Sequence, residues 1–182
     1  MKTKTAMWAL GLSLLLPGAA LAKRGAEEPP PMNPDDHEHL QVTQDVKVVF
    51  HATEDVWKKG TPQSLWYIHK LVTKGYPNMG VPAEELDFKL VVHDTPVYWF
   101  FTDEAWPKAK GLNGAAPLDH NPHKELIQEL LDAGVDIEVC AVTLKSKGYT
   151  QDMLLPGIKV TPAGVPRVVD LQLQGYAYLK LQ

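Results

Sequence analysis

The chain has 182 residues, 45% of them hydrophobic and 22% charged, with a formal net charge of −4. That composition describes one ordinary globular domain with a real core and excludes a disordered or fibrous chain. The acidic balance offers no bulk attraction for nucleic acid or anionic lipid, so polyanion binding is set aside.

Lys2 and Lys4, the apolar run AMWALGLSLLLPG and the small residues Ala20-Leu21-Ala22 read as a secretory signal over residues 1–22, with cleavage expected before Lys23. The run is too short, and too closely followed by a cleavage site, for a stable membrane span. The expected compartment is a bacterial periplasm. Residues 23–45 open KRGAEEPPPMNPDDHEHL, with four prolines and several acids, and read as a flexible arm because little of it can be buried to offset its ordering entropy. Within it His37 and His39 flank Glu38, a spacing that holds a metal only weakly since nothing nearby completes a coordination sphere.

The folded domain is expected over 46–182. VKVVFHA, Val46 to Ala52, is a near-continuous apolar run rich in β-branched residues, as a strand covered on both faces requires. Thr61-Pro62 reads as the cap and first turn of a helix with Leu65, Ile68 and Val72 on one face, ended by Gly75. A second buried strand, Leu86 to Asp94, ends in His93 and Asp94, with Asp94 placed to cap the next turn. The dense run Tyr98, Trp99, Phe100, Phe101 and then Trp106 is read chiefly as core packing, with an oligomer contact as the alternative. GLNGAAPLDHN lacks the spacing of a phosphate-binding fingerprint. Asn121-Pro122 is expected to cap an amphipathic helix carrying Leu126, Ile127, Leu130 and Leu131, ended by Gly134. A strand with Cys140 follows, then a polar segment opening at Thr143, the strand IKVTPAG, a helix over Val165 to Leu173 and the closing strand YAYLKL. Strand and helix alternate throughout, which predicts an α/β fold of three layers, α/β/α, around a mostly parallel sheet of about five strands joined by right-handed crossovers.

Cys140 is the only cysteine. In an oxidising compartment it cannot form an intrachain disulfide, so it is buried, paired between chains or kept for chemistry. At a strand-to-helix corner the helix end favours the thiolate, and Lys145 and Lys147 are candidates to add to that effect. Against this stands the ordinary role of a free cysteine as a small buried hydrophobe. His93 and His51, both near strand ends, are candidates to line the same pocket and move protons, or else to be hydrogen-bonded structural histidines. Metal capture by His120 and His123 with Cys140, or with the His37/His39 pair, is a weaker alternative because His120 and His123 straddle a helix start; His69 lies on an ordinary amphipathic helix. No nucleophile elbow, zinc-protease helix or clear carboxylate pair points to a classical hydrolase.

Four stretches together resemble the DsrE/DsrF-like family: VKVVFHA, LVVHD, LLDAGVDIEVCAVTLKSKGY and IKVTPAGVPRVVDLQLQGYAYLKL. They span roughly Val46 to Leu181, and the chain is similar to an exported, signal-peptide-bearing member. The resemblance implies a three-layer fold that commonly assembles into trimers or hexamers, with no cofactor. It also implies that Cys140, matching the family cysteine, carries sulfur as a persulfide in a relay between thiols. The better-studied members are cytoplasmic, so an exported protein would need another donor, such as thiosulfate or polysulfide, with a small molecule or partner thiol protein to exchange sulfur with, or would transfer no sulfur at all. The alternative is a small-ligand-binding or scaffold module with Cys140 packed in the core.

Overall fold

A computed structural model describes residues 40–109, 112 and 118–181. The leader and all but the last residues of the Pro-rich arm, with His37 and His39, lie outside the described residues. The strands are β1 (Val46–Ala52), β2 (Trp57–Lys58), β3 (Thr61–Pro62), β4 (Leu86–Val92), β5 (Asp136–Cys140), β6 (Lys159–Thr161) and β7 (Ala177–Leu181). The helices are α1 (Gln63–Lys70), α2 (Tyr76–Asn78), α3 (Lys124–Asp132), α4 (Ala141–Lys147) and α5 (Gly164–Leu173). Five strands make one sheet in the order β6-β5-β4-β1-β7, every pairing parallel.

Connection handedness explains the layers. The crossovers from β1 to β4, β5 and β6 step one way across the sheet, and the right-handed rule puts their helices on one face. The last crossover returns past them to the far side of β1, which puts α5 on the other face. Burial follows this division. Leu65 and Ile68 of α1, Ile127 and Leu130 of α3 and Leu144 of α4 cluster with Val48, Phe50, Phe88, Leu90 and Ile137. On the opposite face Val168 and Leu171 of α5 pack on Val49, Val91 and Tyr176. The three-layer α/β/α expectation is met.

Three local expectations are corrected. Thr61-Pro62 does not begin a helix: Lys59 and Gly60 both have positive φ, 52° and 79°, the conformation of a tight hairpin turn, and fold Thr61-Pro62 back onto Trp57-Lys58 as a short antiparallel ribbon. The helix starts at Gln63. Gly75 does not end that helix, because with φ −58° it is right-handed; the chain passes through a π-helical turn, Leu71–Gly75, into α2, and turns left-handed only at Gly80. Asn121 does not cap α3, which His123 precedes. Its side chain instead donates to the carbonyls of Trp99 and Phe101, at 2.8 and 2.7 Å, and accepts from the His123 N–H at 2.9 Å.

Asn121 thereby clamps the aromatic turn. Thr95–Phe100 is 3-10 helical, and Tyr98, Trp99, Phe100, Phe101 and Trp106 are all fully buried, as the core-packing reading expects. Their polar atoms need partners in that environment. The Asp55 carboxylate supplies them, accepting from Trp57 Nε1 at 2.5 Å, Tyr98 OH at 2.8 Å and Trp99 Nε1 at 2.8 Å.

Candidate functional site

Strand register brings the candidate residues into one row. Val92 stands beside Val139 in the parallel pair, so the next residues, His93 and Cys140, are neighbours at the strand ends. Cys140 in turn stands beside Thr161 of β6, and His51 beside Lys180 of β7. Alternation along each strand turns His51 and Cys140 away from the Phe50 and Val139 side, toward the face that carries α5. The rings of His51 and His93 lie 4.8 Å apart, centroid to centroid.

The row ends at a topological switch point. β5 leads into α4, whose Leu144 packs on one face, while the neighbouring β6 leads into α5 on the other, so a crevice opens between the two outgoing connections. Cys140 and Gly164 form its walls. The Gly164 N–H donates to Cys140 Sγ at 3.2 Å. A side chain at Gly164 would not fit: a Cβ there would meet His93 Cδ2 at 2.9 Å. The crevice is a shallow pocket of about 210 Å³ lined by His93, Cys140, Val142, Thr143, Gly164 and Val165, among others.

Cys140 is 5% exposed. Burial pushes its thiol up, but the N–H and hydroxyl of Thr143 and the N–H groups of Gly164 and Val142 face the sulfur and bring it below its ordinary value. The Gly164 bond has full hydrogen-bond geometry; the Thr143 and Val142 groups act as oriented dipoles around the first turn of α4. Thr143 is itself held by the Asp94 N–H, which donates to its Oγ1 at 3.0 Å and leaves the hydroxyl hydrogen free to turn toward sulfur. The leading groups in this effect are the dipoles of Thr143, Gly164 and Val142, while Lys147 pairs with Asp94 at 3.4 Å.

Asp94 makes no side-chain cap to the following turn. Its backbone has φ 65° and ψ −134°, outside the ordinary regions for a residue with a Cβ. This bend is what carries its N–H to Thr143.

Both histidines are pushed toward the neutral form. His51 is pushed down to about 4 by burial, and then by the charges of His93 and Lys180. Burial lowers His93 as well, with Asp94 opposing. His51 Nδ1 shares a hydrogen bond with Tyr178 OH at 3.1 Å, a partner that sequence reading missed because it lies 127 residues away. The buried Nε2 atoms of His51 and His93 have no protein partner among the described residues. Cys140, His93 and His51 are thus brought into one neighbourhood, joined by Tyr178, Thr143 and Gly164. Gly164 and Tyr178 carry no sequence signal, because their placement depends on how α5 and β7 return beside β5 and β1.

The other histidines go elsewhere. His123 is buried beside Trp57 and Trp106, with ring centroids 5.0 and 6.2 Å away, while His120 is exposed. His69 pairs with Glu129 at 2.8 Å. Among the described residues no three His, Cys, Asp or Glu side chains converge on a metal position, and no helix is long and apolar enough to cross a membrane.

Solved structures similar to this chain include two whose likeness spans most of it. The protein of unknown function MTH1491 from Methanobacterium thermoautotrophicum is 25% identical over 75% of this chain and all of its own, with a TM-score of 0.54. The YchN protein from E. coli is 16% identical over 75% of this chain and 99% of its own, with a TM-score of 0.50, a likeness of fold. No curated protein matches the chain. The model of the DsrE/DsrF-like family matches residues 71–181, from the end of the first helix through the last strand and across the whole Cys140 crevice. The chain therefore belongs to the DsrE/DsrF-like family.

Proposed function

We propose that this protein is an exported, periplasmic sulfur carrier or sulfurtransferase-like protein that uses Cys140 as a persulfide-forming thiol. DsrE/DsrF-like proteins are associated with sulfur relay. The observation that carries the finer reading is the Cys140 sulfur itself. It accepts the Gly164 N–H, has a lowered pKa despite its burial, and borders a pocket shared with His93. A cysteine packed only as a hydrophobe would have its thiol pushed up, not down.

In the proposed step the Cys140 thiolate attacks a sulfane sulfur. The donor's S–S bond breaks, its electron pair leaves on the donor residue, and Cys140–S–S⁻ remains until a partner thiolate takes the outer sulfur. The proton balance at the strand ends is the role assigned to His93, with His51 behind it and held by Tyr178. The exposed side chains Val165, Val169 and Leu173, at helical spacing on α5, support a homo-oligomer of the kind the family resemblance implies.

The test is the intact mass of the mature protein after exposure to polysulfide and to thiosulfate, with and without reductant, beside Cys140→Ala. A reductant-labile gain of sulfur confined to the wild type is expected. The 5% exposure of Cys140 favours a second reading, a binding or scaffold module with an inert thiol. No sulfur gain, together with resistance to alkylation, would select that reading. Recovery from the periplasmic fraction with Lys23 at the N-terminus tests export, and sedimentation tests the oligomer.

A further inference from the structure

The helix α5 is seated on the sheet by two kinds of contact, and they fall on different strands. Its apolar side chains Val168 and Leu171 meet Val49 of β1, Val91 of β4 and Tyr176; among the described residues no side chain of that cluster belongs to β5. The polar contacts fall on β5, at Glu138 and Cys140. Glu138 stands beside Val91 in the parallel pair and two residues before Cys140, so both side chains point to the face that carries α5. It is 6% exposed, and one guanidinium takes both its oxygens: Arg167 donates through Nε and Nη2, each at 2.8 Å. Nη1 of Arg167 donates to Asp170 at 2.6 Å, one turn further along α5, and Gln174 donates to the same carboxylate at 2.9 Å. The guanidinium is thus tied to its own helix on one side and forked onto β5 on the other.

This fork and the sulfur contact are neighbours on both elements. Glu138 lies two residues before Cys140, roughly 7 Å along the strand, and Arg167 lies three residues after Gly164, on the same turn of helix. The Gly164 N–H that reaches Cys140 Sγ at 3.2 Å is therefore carried by the turn that Arg167 anchors. The approach there is close: a Cβ at Gly164 would meet His93 Cδ2 at 2.9 Å. A forked carboxylate–guanidinium pair fixes distance and plane together, which an apolar contact does not. As a source of stability a buried ion pair is weak, since apolar side chains of similar volume often replace one without loss. What the pair supplies at this place is geometry.

We propose that Glu138 and Arg167 are positioning residues for Cys140: their forked pair sets how closely the first turn of α5 approaches the end of β5, and so holds the Gly164 N–H against the sulfur. The proposal deepens the sulfur-carrier reading and rests on it for the use to which the thiolate is put. The charged and titratable groups around the sulfur are His93 after β4, Asp94 paired with Lys147 of α4, exposed Lys145 of α4, Glu138 of β5 and Arg167 of α5. Only the last two are altered in the test.

The experiment is the pH titration of the Cys140 thiolate, read by its ultraviolet absorbance after subtraction of Cys140→Ala, which needs no access to the buried sulfur. Arg167→Lys keeps the charge and loses the fork. Glu138→Leu combined with Arg167→Met removes both charges and keeps most of the volume, so its urea midpoint should stay close to that of the wild type. In both variants the thiol midpoint should rise by at least about half a unit, a roughly threefold smaller thiolate share below the midpoint. Glu138→Asp, one methylene shorter, is the mildest change; it should fold and give a smaller rise. A midpoint that stays in place or falls in any folded variant of the three would overturn the positioning role and leave the pair as a brace for α5. Sulfur loading from polysulfide is read separately. Failure of the wild type to load would sink the carrier reading, while the titration still decides the role of the pair.

Discussion

The two faces of the sheet are built on opposite terms. One is closed by α1, α3, the buried aromatic turn and part of α4, and its strands contribute Phe50, Phe88, Leu90 and Ile137 to a continuous apolar core. The other is covered by α5 alone, over Val49 and Val91, and beyond that patch it carries paired charges: Lys89 with Asp87 and Asp136, and Arg167 with Glu138. A parallel sheet ordinarily needs both faces covered. The thin face places a thiol and two imidazoles at the ends of β1, β4 and β5, with His93 and Cys140 bordering a shallow pocket, while the thick face holds the strands in register.

The sharpest test of that contrast is a pair of truncations. Phe50→Ala, on the thick face, should cost about 3–5 kcal/mol, and Val91→Ala, under α5, about 1.5–3 kcal/mol, because less apolar surface is lost and the site collapses more readily. Urea midpoints at equal slope measure both. Equal costs would mean that the thin face is packed as tightly as the thick one.

Acid distinguishes the faces next. His51 on the thin face and His123 on the thick one are each held near 4, from an ordinary 6.5, burial being the leading cause for both. Between those values the unfolded chain binds more protons than the folded one, so stability rises with pH. The contribution is complete above 6.5 and lost as pH falls toward 4, with a ceiling of about 3 kcal/mol for each imidazole. Chemical denaturation across this window should show the slope, and His123→Phe should remove part of it. A flat profile would mean that the imidazoles are not buried as neutral groups.

Gly164→Ala acts at the crevice alone. The added methyl displaces His93 and the N–H that faces Cys140, at a cost of about 1–3 kcal/mol from overpacking. The pH profile of Cys140 alkylation should then move up toward that of a free thiol, about 8.5. An unchanged profile would remove Gly164 from the account of the sulfur. Smallest is Tyr178→Phe, which removes one hydrogen bond from His51 at about 0.5–1.5 kcal/mol. Its decisive readout is the ¹⁵N shift of His51 Nδ1, which a merely structural tyrosine would leave in place.

Much of the layering was legible because it follows from periodicity. Val46–Ala52 and Leu86–Val92 are read directly from β-branched runs, and the α3 face from Ile127 and Leu130. What escaped is where local signals were overruled. α4 begins at Ala141 rather than at Thr143, because Cys140 occupies the N-cap position, where Ser, Thr, Asp or Asn would have marked the start. Asn121-Pro122 looked like a cap, yet Asn121 serves Trp99 and Phe101, residues more than a dozen positions earlier. At the site, Cys140, His93 and His51 were legible as strand-end residues. Gly164 and Tyr178 were not, because no periodicity reports which helix start or which strand folds back beside them.

The chain order of the sheet sets a timetable for the thiol. β1 is paired on one side by β4 and on the other by β7, so His51 waits 127 residues for Tyr178, roughly 6–25 s at usual rates of polypeptide synthesis. The Gly164 N–H follows Cys140 by 24 residues. Until α5 has been added, Cys140 lacks the Gly164 N–H and the pocket wall that Ala163 to Pro166 supply. The setting of this cysteine is therefore assembled late: the growing polypeptide carries its one thiol for some time before the wall that faces it exists.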